Sequence, residues 1–207
     1  GFSLNCHKHI NTGEGGILVT NNKKYAERLR LIRNHAEAVV DETINNNTPN
    51  MIGHNFRLGE IECAIGLEQF KKLKLKVSRR QEIAKQLSSK LKRLKGIKTP
   101  LIEKNCTHSF YIYAIQIDEK ITKVNKRIIF NALKAEGLEN ILDKYFNLHL
   151  LPMYKKKLAY GTKGFPWNSE ICERNVKYGK GVCPVAEKIN KDKLILIELC
   201  VHEYNKK

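Results

Sequence analysis

A long helical pattern occupies the middle of the chain. Within each half of the segment from Arg57 to Gly96, apolar residues recur every three or four positions, with lysine and arginine between them. Gly66 or the stretch 71–76 is expected to bend this helix or divide it in two, and Gly96 is expected to end it. The basic positions are interpreted as a solvated face. The apolar positions are Ile61, Ile65, Ile83, Leu87, Leu91 and Leu94.

Strand and helix patterns alternate on both sides of that segment, which places the chain in the α/β or α+β class. The run 109–117 is the clearest strand because it is rich in aromatic and β-branched residues. Asn21 and Asn22 are expected to cap the helix that follows them. The remaining predictions are strands at 16–20 and 194–199, helices at 23–38, 122–136, 169–179 and 187–192, loops at 41–52 and 160–167, and irregular or partly extended chain at 141–151.

Two of these helices have an apolar side that is expected to face a core. The pattern in each is the helical spacing of three or four residues, and Gly137 is expected to end the second helix. The core-facing residues are predicted to be Tyr25, Leu29, Ile32 and Ala36 in the helix 23–38, and Ile128, Ile129, Ala132 and Leu133 in the helix 122–136.

The composition indicates a globular protein with a strongly basic surface. Hydrophobic residues make up 42% of the 207 and aromatic residues 8%, which suits one sizeable core or a core and a small lobe. The net charge of +17 comes mainly from lysines spread along predicted helices. A solvated lysine-rich surface is favoured over a nucleic-acid groove, since the aromatic residues of the strand 109–117 are expected to be buried. A basic balance also suits an enzyme whose ligands carry phosphate.

The cysteines and histidines show no spacing typical of a zinc site. The six cysteines include no Cys-x-x-Cys pair, and free thiols in a reducing cytoplasm are their simplest explanation. No apolar run approaches the roughly 18 residues of a membrane-spanning helix, and no signal peptide pattern opens the chain. The sequence therefore predicts a cytoplasmic protein with no metal site and no membrane or nucleic-acid partner.

The segment 1–16 combines one lysine with a turn rich in glycine. Lys8 lies five residues after Ser3 and six before Glu14, which belongs to a Gly-Glu-Gly-Gly turn. A lysine held in a fixed, partly desolvated position suits covalent chemistry with a carbonyl group, because such a position favours the neutral amine. The glycines permit close approach of the backbone to a ligand, and Ser3 is placed to donate a hydrogen bond to a phosphate. The alternatives are a solvated lysine and a simple hairpin.

Four segments resemble the DegT/DnrJ/StrS family of aminotransferases, which use pyridoxal 5'-phosphate and act on nucleotide-linked keto sugars. The pattern Ser-x-x-x-x-Lys followed by Thr-Gly-Glu-Gly-Gly resembles the family's cofactor-lysine segment, and GHNFRLGEIE at 53–62 is similar to its Gly-x-Asn-x-Arg-x-x-Glu-Ile segment. NLHLLPMY at 147–154 and CPVAE at 183–187 resemble two later landmarks. The resemblance runs in order over nearly the whole chain.

The resemblance implies the fold of a fold-type I aminotransferase. Residues 1–70 correspond to the end of the large cofactor-binding domain, and residues 71–207 correspond to the small C-terminal α/β domain. About half of the family's polypeptide precedes the lysine, including the aspartate that pairs with the pyridine nitrogen and the residue that stacks on the ring. The chain is therefore expected to be a fragment that binds the cofactor weakly or not at all, tends to self-associate and is inactive alone.

The resemblance also implies roles for five residues. Lys8 corresponds to the lysine that holds the cofactor covalently and moves the substrate proton, and Ser3 to a ligand of the cofactor phosphate. Asn55 corresponds to a residue that reaches the phosphate bound by the neighbouring subunit, which implies a homodimer with a shared active site. Arg57 and His149 are predicted to contact the substrate. Glutamate or glutamine is the implied amino donor.

Several alternatives stay open beside these roles. Asn55 would instead cap the following helix, Arg57 would pair with Glu60 or Glu62, and His149 would be a packed core residue. Some relatives are dehydratases with histidine at the lysine position. Counting from Ser3 and back from Glu14 places Lys8 there rather than His7 or His9, which favours transamination. A non-catalytic remnant that dimerises is the further alternative.

Overall fold

The computed structural model describes residues 1–36 and 51–200, which form two compact units. The units are Gly1–Ser78 and Arg79–Lys207, and one long helix continues from the first into the second. The predicted loop at 41–52 lies almost wholly outside the described residues. The assignment of 1–70 and 71–207 to two domains of a larger enzyme stays a prediction.

The first unit opens with a two-stranded antiparallel ribbon. Strand β1 (Phe2–Ser3) pairs with β2 (Gly16–Ile17), so that Phe2 lies opposite Ile17 and Ser3 opposite Gly16. The strand predicted at 16–20 is therefore present but shorter, since the described pairing stops at Ile17. The pairing brings both ends of the segment between the strands together.

Helix α1 (Lys23–Arg33) follows, and its start is as predicted. The Asn22 side chain accepts a hydrogen bond from the backbone N–H of Tyr25, which satisfies one of the orphan donors of the first turn. The predicted extension to residue 38 is wrong for residues 34–36. His35 and Ala36 have positive φ angles of 58° and 60°, and the chain there pairs with residues 54 and 55 instead of continuing the helix. Leu31 is buried, whereas Tyr25, which was predicted to face the core, is exposed.

Helix α2 (Glu60–Leu91) is one uninterrupted helix of 32 residues. Neither Gly66 nor the stretch 71–76 divides it. The predicted apolar side is confirmed in the C-terminal half, where Ile83, Leu87 and Leu91 pack against the core of the second unit. It is not confirmed at the N-terminal end, where the side chain of Ile61 is 75% exposed.

A four-stranded antiparallel sheet forms the centre of the second unit, in the order β3-β4-β6-β5. Buried and half-buried residues alternate along β4, and Tyr113, Ile115 and Ile117 face the core. Tyr113 lies opposite Ile197 on the neighbouring strand. The strands are β3 (Ile97–Lys98), β4 (Ile112–Ile117), β5 (Ile141–Leu142) and β6 (Leu194–Glu198).

Four helices lie wholly within the described part of the second unit. They are α3 (Glu119–Thr122), α4 (Lys126–Ala135), α5 (Pro152–Lys156) and α6 (Pro184–Asp192), with a 3-10 turn at Leu148–Leu150. The single helix predicted at 122–136 is thus two. Lys123 has a positive φ of 57° that ends α3, and Asn125 caps α4 by accepting from the N–H of Arg127.

The remaining corrections concern the C-terminal third. The helix predicted at 169–179 is absent, and the chain there makes turns. The helix predicted at 187–192 is confirmed, but it begins earlier because Pro184 suits its first turn. In α4, Ile129 and Leu133 pack against the core as predicted, whereas Ile128 and Ala132 are exposed.

Candidate functional site

Lys8 lies on a closed loop between β1 and β2, which we call the lysine loop (residues 4–15). The N–H of Leu4 donates to the carbonyl of Gly15 at 2.9 Å, and the N–H of Thr12 donates to the carbonyl of Leu4 at 3.0 Å. Within this ring the N–H of Lys8 donates to the carbonyl of Asn5 at 2.9 Å. Leu4, Ile10 and Thr12 are buried and anchor the loop, while Lys8 is half-buried.

Glu14 closes the lysine loop through both its side chain and its backbone carbonyl. Its carboxylate accepts a hydrogen bond from the Asn5 side-chain amide at 2.7 Å, and its carbonyl accepts one from the Thr12 hydroxyl at 2.7 Å. A Cβ on Gly15 would lie 2.7 Å from that hydroxyl oxygen and 3.1 Å from a methyl carbon of Leu58. Glycine is therefore required at position 15 by close approach, and Glu14 holds the loop together. The sequence predicted no structural role for Glu14.

Ser3 and the lysine loop together carry a donor set that fits pyridoxal phosphate. The Ser3 hydroxyl oxygen accepts a hydrogen bond from the N–H of Asn5 at 3.3 Å, a bond that does not use the hydroxyl proton. Ser3 is exposed and Lys8 is half-buried. A primary amine on the lysine loop and a hydroxyl donor in the strand directly before it are the groups needed to hold a carbonyl carbon and a phosphate. The residues present thus fit the cofactor that the sequence predicts.

Asn55 lies on an extended segment that pairs with the end of α1. The N–H of His54 donates to the carbonyl of Ile32 at 2.7 Å, that of Phe56 donates to Arg33 at 2.9 Å, and Asn55 forms a bridge with Asn34. These bonds fix the backbone, and the Asn55 side chain is exposed. Helix α2 begins five residues later, beyond the reach of an N-cap side chain, so the capping alternative for Asn55 is wrong.

Arg57 contacts the same end of α1. Its Nη1 donates to the Asn34 side-chain oxygen at 2.5 Å. Among the described residues, its observed partner is therefore neither Glu60 nor Glu62. The guanidinium is exposed and has five N–H donors, so it has donors left for an anionic ligand.

His149 belongs to the second unit and forms a clasp with Glu187. Its Nε2 lies 2.9 Å from a carboxylate oxygen of Glu187, and its side chain is 12% exposed. The same carboxylate accepts the backbone N–H groups of Gly181 at 2.9 Å and Cys183 at 3.3 Å. The hydrogen bond from His149 first, and then the two backbone N–H groups, lower the pKa of Glu187, while burial opposes them. This clasp ties the 3-10 turn to the start of α6.

The role of Glu187 was not predicted from the sequence. An acidic residue in the first turn of a helix that starts at proline is a recognisable signal for capping, and Glu187 has that position in α6. Its pairing with His149, 38 positions away, has no local signal. The structure thus places Ser3 in β1, directly before the lysine loop that carries Lys8, and places Asn55 and Arg57 on one segment, while His149 lies in the other unit.

Two cations expected on the surface are buried instead. Lys126 donates from Nζ to the carbonyls of Asp143 at 2.5 Å and Asn190 at 3.0 Å, and burial lowers the pKa of this lysine. Arg80 donates from Nε to the carbonyl of Leu199 at 3.0 Å. Both cations satisfy backbone carbonyls next to the sheet and have a structural role.

Within residues 1–36 and 51–200, no group of three or more His, Cys, Asp or Glu side chains is arranged to hold a metal ion. All six cysteines are free thiols. In the same part of the chain, none of the helices is both long enough and apolar enough to cross a membrane.

Comparison with known proteins places these features in one family. The model of the DegT/DnrJ/EryC1/StrS aminotransferase family matches residues 1–193. An uncharacterised protein of Methanocaldococcus jannaschii is 29% identical over 94% of this chain and 50% of its own length. The spore coat polysaccharide biosynthesis protein SpsC of Bacillus subtilis is 28% identical over 80% of this chain and 44% of its own length.

A solved structure agrees with the sequence comparisons. Helicobacter pylori PseC, an aminotransferase involved in the biosynthesis of pseudoaminic acid, is 25% identical, with a TM-score of 0.63 over 92% of this chain and 45% of that one. The chain spans about half the length of the curated relatives it matches. The predicted fold class is confirmed, and the family is dependent on pyridoxal phosphate. The chain therefore belongs to the DegT/DnrJ/EryC1/StrS aminotransferase family.

Proposed function

We propose that this chain supplies the lysine-bearing part of an aminotransferase that acts on a nucleotide-linked keto sugar, in amino-sugar biosynthesis for a surface polysaccharide or a related glycan. The observation that carries the proposal is the closed lysine loop, which holds a half-buried Lys8 and directly follows the exposed Ser3 of β1. The polysaccharide role of SpsC and the amino-sugar role of PseC support the substrate class.

Lys8, Ser3 and the buried anchors of the lysine loop each have a defined task in this proposal. Bound pyridoxal phosphate supplies an electron sink that stabilises negative charge at the substrate carbon. The Lys8 amine would hold the cofactor through its carbonyl carbon, and as a free amine it would take and return the proton at the substrate carbon. The Ser3 hydroxyl donates to the cofactor phosphate. The buried anchors of the loop keep these groups in place, since catalysis requires positioned groups.

Asn55, Arg57 and His149 have further tasks in the proposal. The exposed Asn55 side chain reaches the cofactor phosphate of a second copy, which makes the assembly a homodimer with shared active sites. Arg57 binds an anionic group of the substrate with the donors that Asn34 leaves available. His149 faces the sugar with its remaining ring nitrogen, since Nε2 is bonded to Glu187. The amino donor is glutamate or glutamine.

The activity is proposed for a polypeptide that contains these 207 residues together with the half of the relatives' length that they do not cover. We call this polypeptide the complete enzyme. The 207-residue chain alone is expected to be inactive, because the groups that pair with the cofactor nitrogen and stack on its ring lie in the uncovered half of the family's sequence. We place the complete enzyme in the cytoplasm, in keeping with its free thiols.

The test is turnover of the complete enzyme with a nucleotide-linked keto sugar and glutamate. Lys8→Ala should abolish formation of the amino sugar, and the matched variant Lys23→Ala, which removes an exposed lysine of α1, should retain it. Full turnover in the Lys8→Ala enzyme would remove the proposal. Formation of a deoxy sugar instead of an amino sugar would assign the enzyme to the dehydratase relatives, and absence of any cofactor-dependent reaction would identify a non-catalytic protein.

A further inference from the structure

Asn5 lies between the two residues that the proposed function assigns to the cofactor, and its backbone contacts both. Its N–H donates to the Ser3 hydroxyl oxygen at 3.3 Å, and its carbonyl accepts the N–H of Lys8 at 2.9 Å. The second bond closes a four-residue turn over residues 5–8, in which asparagine is a favoured first residue. One residue therefore links the proposed phosphate ligand to the turn that carries the proposed cofactor lysine.

The side chain of Asn5 makes one local bond and one bond across the lysine loop. Its Oδ1 accepts the backbone N–H of His7 at 3.2 Å, which is a common arrangement within a turn. Its Nδ2 donates to the carboxylate of Glu14 at 2.7 Å, nine positions away near the other end of the loop. The local bond needs only the turn itself, whereas the bond to Glu14 needs the closed loop.

Glu14 is in turn tied to a buried anchor of the lysine loop. Its backbone carbonyl accepts the hydroxyl of Thr12 at 2.7 Å, and Thr12 is only 5% exposed. A hydrogen bond to an ionised acceptor is stronger than one between neutral groups. The bonds therefore run in series from Thr12 through Glu14 to Asn5, and from Asn5 to Ser3 and Lys8.

The other asparagine of the lysine loop, Asn11, provides a comparison. Its side-chain oxygen accepts the N–H of Gly13 at 3.3 Å, a bond that spans two positions. This bond is local and needs an acceptor oxygen, which aspartate also has. A change of Asn11 to aspartate therefore adds the same charge to the same loop as a change of Asn5, without removing the bond that crosses it.

The cofactor requires its two protein ligands to keep a fixed relation. Pyridoxal phosphate carries its carbonyl carbon and its phosphate group on neighbouring positions of one ring, so both must be held together. Groups that are already in position lose less conformational entropy when the ligand binds. A residue that links these two ligands would therefore strengthen binding without contacting the cofactor.

We propose that Asn5 and Glu14 form a positioning pair, which keeps the hydroxyl of Ser3 in register with Lys8. The phosphate and the carbonyl carbon of one cofactor molecule are then held at the same time. The identity of the ligand rests on the proposed function, whereas the pair itself is assigned from its hydrogen bonds. Neither member of the pair is assigned a contact with the cofactor.

The first test replaces the Asn5 amide by a carboxylate. Asn5→Asp keeps the oxygen that accepts from His7 but places a negative charge against Glu14. In the complete enzyme, the affinity for pyridoxal phosphate, measured from the absorption of the bound cofactor, should be about tenfold weaker. The matched variant Asn11→Asp should change this affinity by less than about twofold.

Pyridoxal, which lacks the phosphate, separates positioning from a general loss of loop structure. Because pyridoxal needs Lys8 but no phosphate ligand, Asn5→Asp should weaken its binding by less than about threefold. Damage to the whole lysine loop would weaken both compounds equally. The ratio of the two affinities is therefore the measurement that distinguishes a positioning residue from a structural one.

Two further variants address the bond between Asn5 and Glu14 directly. In Asn5→Asp/Glu14→Gln, the new amide at position 14 can donate to the new carboxylate at position 5, so the affinity should return to within about threefold of the wild type. Glu14→Ala, which removes the acceptor and leaves residues 5–8 unchanged, should weaken pyridoxal phosphate as much as Asn5→Asp does. This variant decides the outcome if Asn5→Asp does not fold.

A second measurement needs no cofactor and uses the intact 207-residue chain. Hydrogen exchange of the lysine loop, followed by mass spectrometry, reports how often its backbone bonds open. Exchange in residues 4–15 should be about tenfold faster in Asn5→Asp than in Asn11→Asp, because the bond across the loop is lost. The double variant Asn5→Asp/Glu14→Gln should restore slow exchange.

Three results would overturn the proposal. They are equal weakening of pyridoxal and pyridoxal phosphate, no recovery in the double variant, and equal exchange rates in Asn5→Asp and Asn11→Asp. Failure of the proposed function is distinguishable. Cofactor binding that Lys8→Ala abolishes and Asn5→Asp leaves unchanged overturns only this inference, whereas binding that Lys8→Ala leaves unchanged overturns the proposed function.

Discussion

The hydrogen bond between Tyr113 and Ser88 links β4 to α2. It predicts that substitutions of these two residues have non-additive effects on the free energy of unfolding. The two oxygens lie 2.8 Å apart, Tyr113 is 0% exposed, and burial raises the pKa of its phenol. Ser88→Ala leaves a buried hydroxyl without its partner and should cost about 1–3 kcal/mol of unfolding free energy. Tyr113→Phe leaves the half-buried Ser88 hydroxyl without this partner, but that hydroxyl has other acceptors within its helix. The change should cost about 0.5–1.5 kcal/mol of unfolding free energy.

The double variant should be less destabilised than the sum of the two single variants, by about 1 kcal/mol, because it leaves neither hydroxyl unpaired. Urea unfolding, followed by far-UV circular dichroism and by Trp167 emission, measures the unfolding free energy of the wild type, the two single variants and the double variant. The control is Ser89→Ala, since the exposed Ser89 hydroxyl donates only to the carbonyl of Gln86 in its own helix, and its loss should change stability by less than about 0.5 kcal/mol. Additivity of the two single effects within about 0.3 kcal/mol would refute the packing of α2 on β4 described here.

Two further predictions concern the clasp and the dimer. Because the folded state lowers the pKa of Glu187, the stability it contributes is fully present above the ordinary value of 4.5 and is lost as the pH falls through the lower folded value. The temperature of thermal unfolding should therefore fall less between pH 7 and pH 3 in Glu187→Gln than in the wild type or in the surface control Glu173→Gln. Equal falls in the unfolding temperature would contradict the clasp. In the complete enzyme, Asn55→Ala should weaken cofactor binding by about 1–3 kcal/mol, as measured by cofactor titration. A mixed dimer of Asn55→Ala and Lys8→Ala subunits should regain one functional site, and no recovery on mixing would place Asn55 within its own subunit.

The sequence predicted best those elements whose signals are local. The Asn22 cap, the strand around Tyr113 and the C-terminal strand are confirmed, because a capping side chain and a β-branched run act on their own neighbours. The helical spacing also predicted the packing of Ile83, Leu87 and Leu91. The same spacing failed at Ile61 and Tyr25, since periodicity identifies an apolar side and does not identify what covers it.

Long-range contacts account for most of what the sequence could not predict. The end of α1 at Arg33 follows from pairing with His54 and Phe56, and the clasp of His149 with Glu187 joins residues far apart in sequence. The motif around Lys8 predicted the roles of Lys8 and Ser3, which stay predictions. It did not predict that Glu14 and the buried Thr12 close the loop, because those bonds form only once the chain has turned back on itself.

The central claim is that Lys8 is the residue that holds the cofactor. The complete enzyme, loaded with pyridoxal phosphate, is reduced with borohydride, digested and mapped by mass spectrometry. We predict one stoichiometric pyridoxyl modification, on the peptide that contains Lys8, and its loss in the Lys8→Ala enzyme. A stoichiometric modification at any other lysine, or none in a folded and cofactor-saturated enzyme, would contradict the assignment of Lys8.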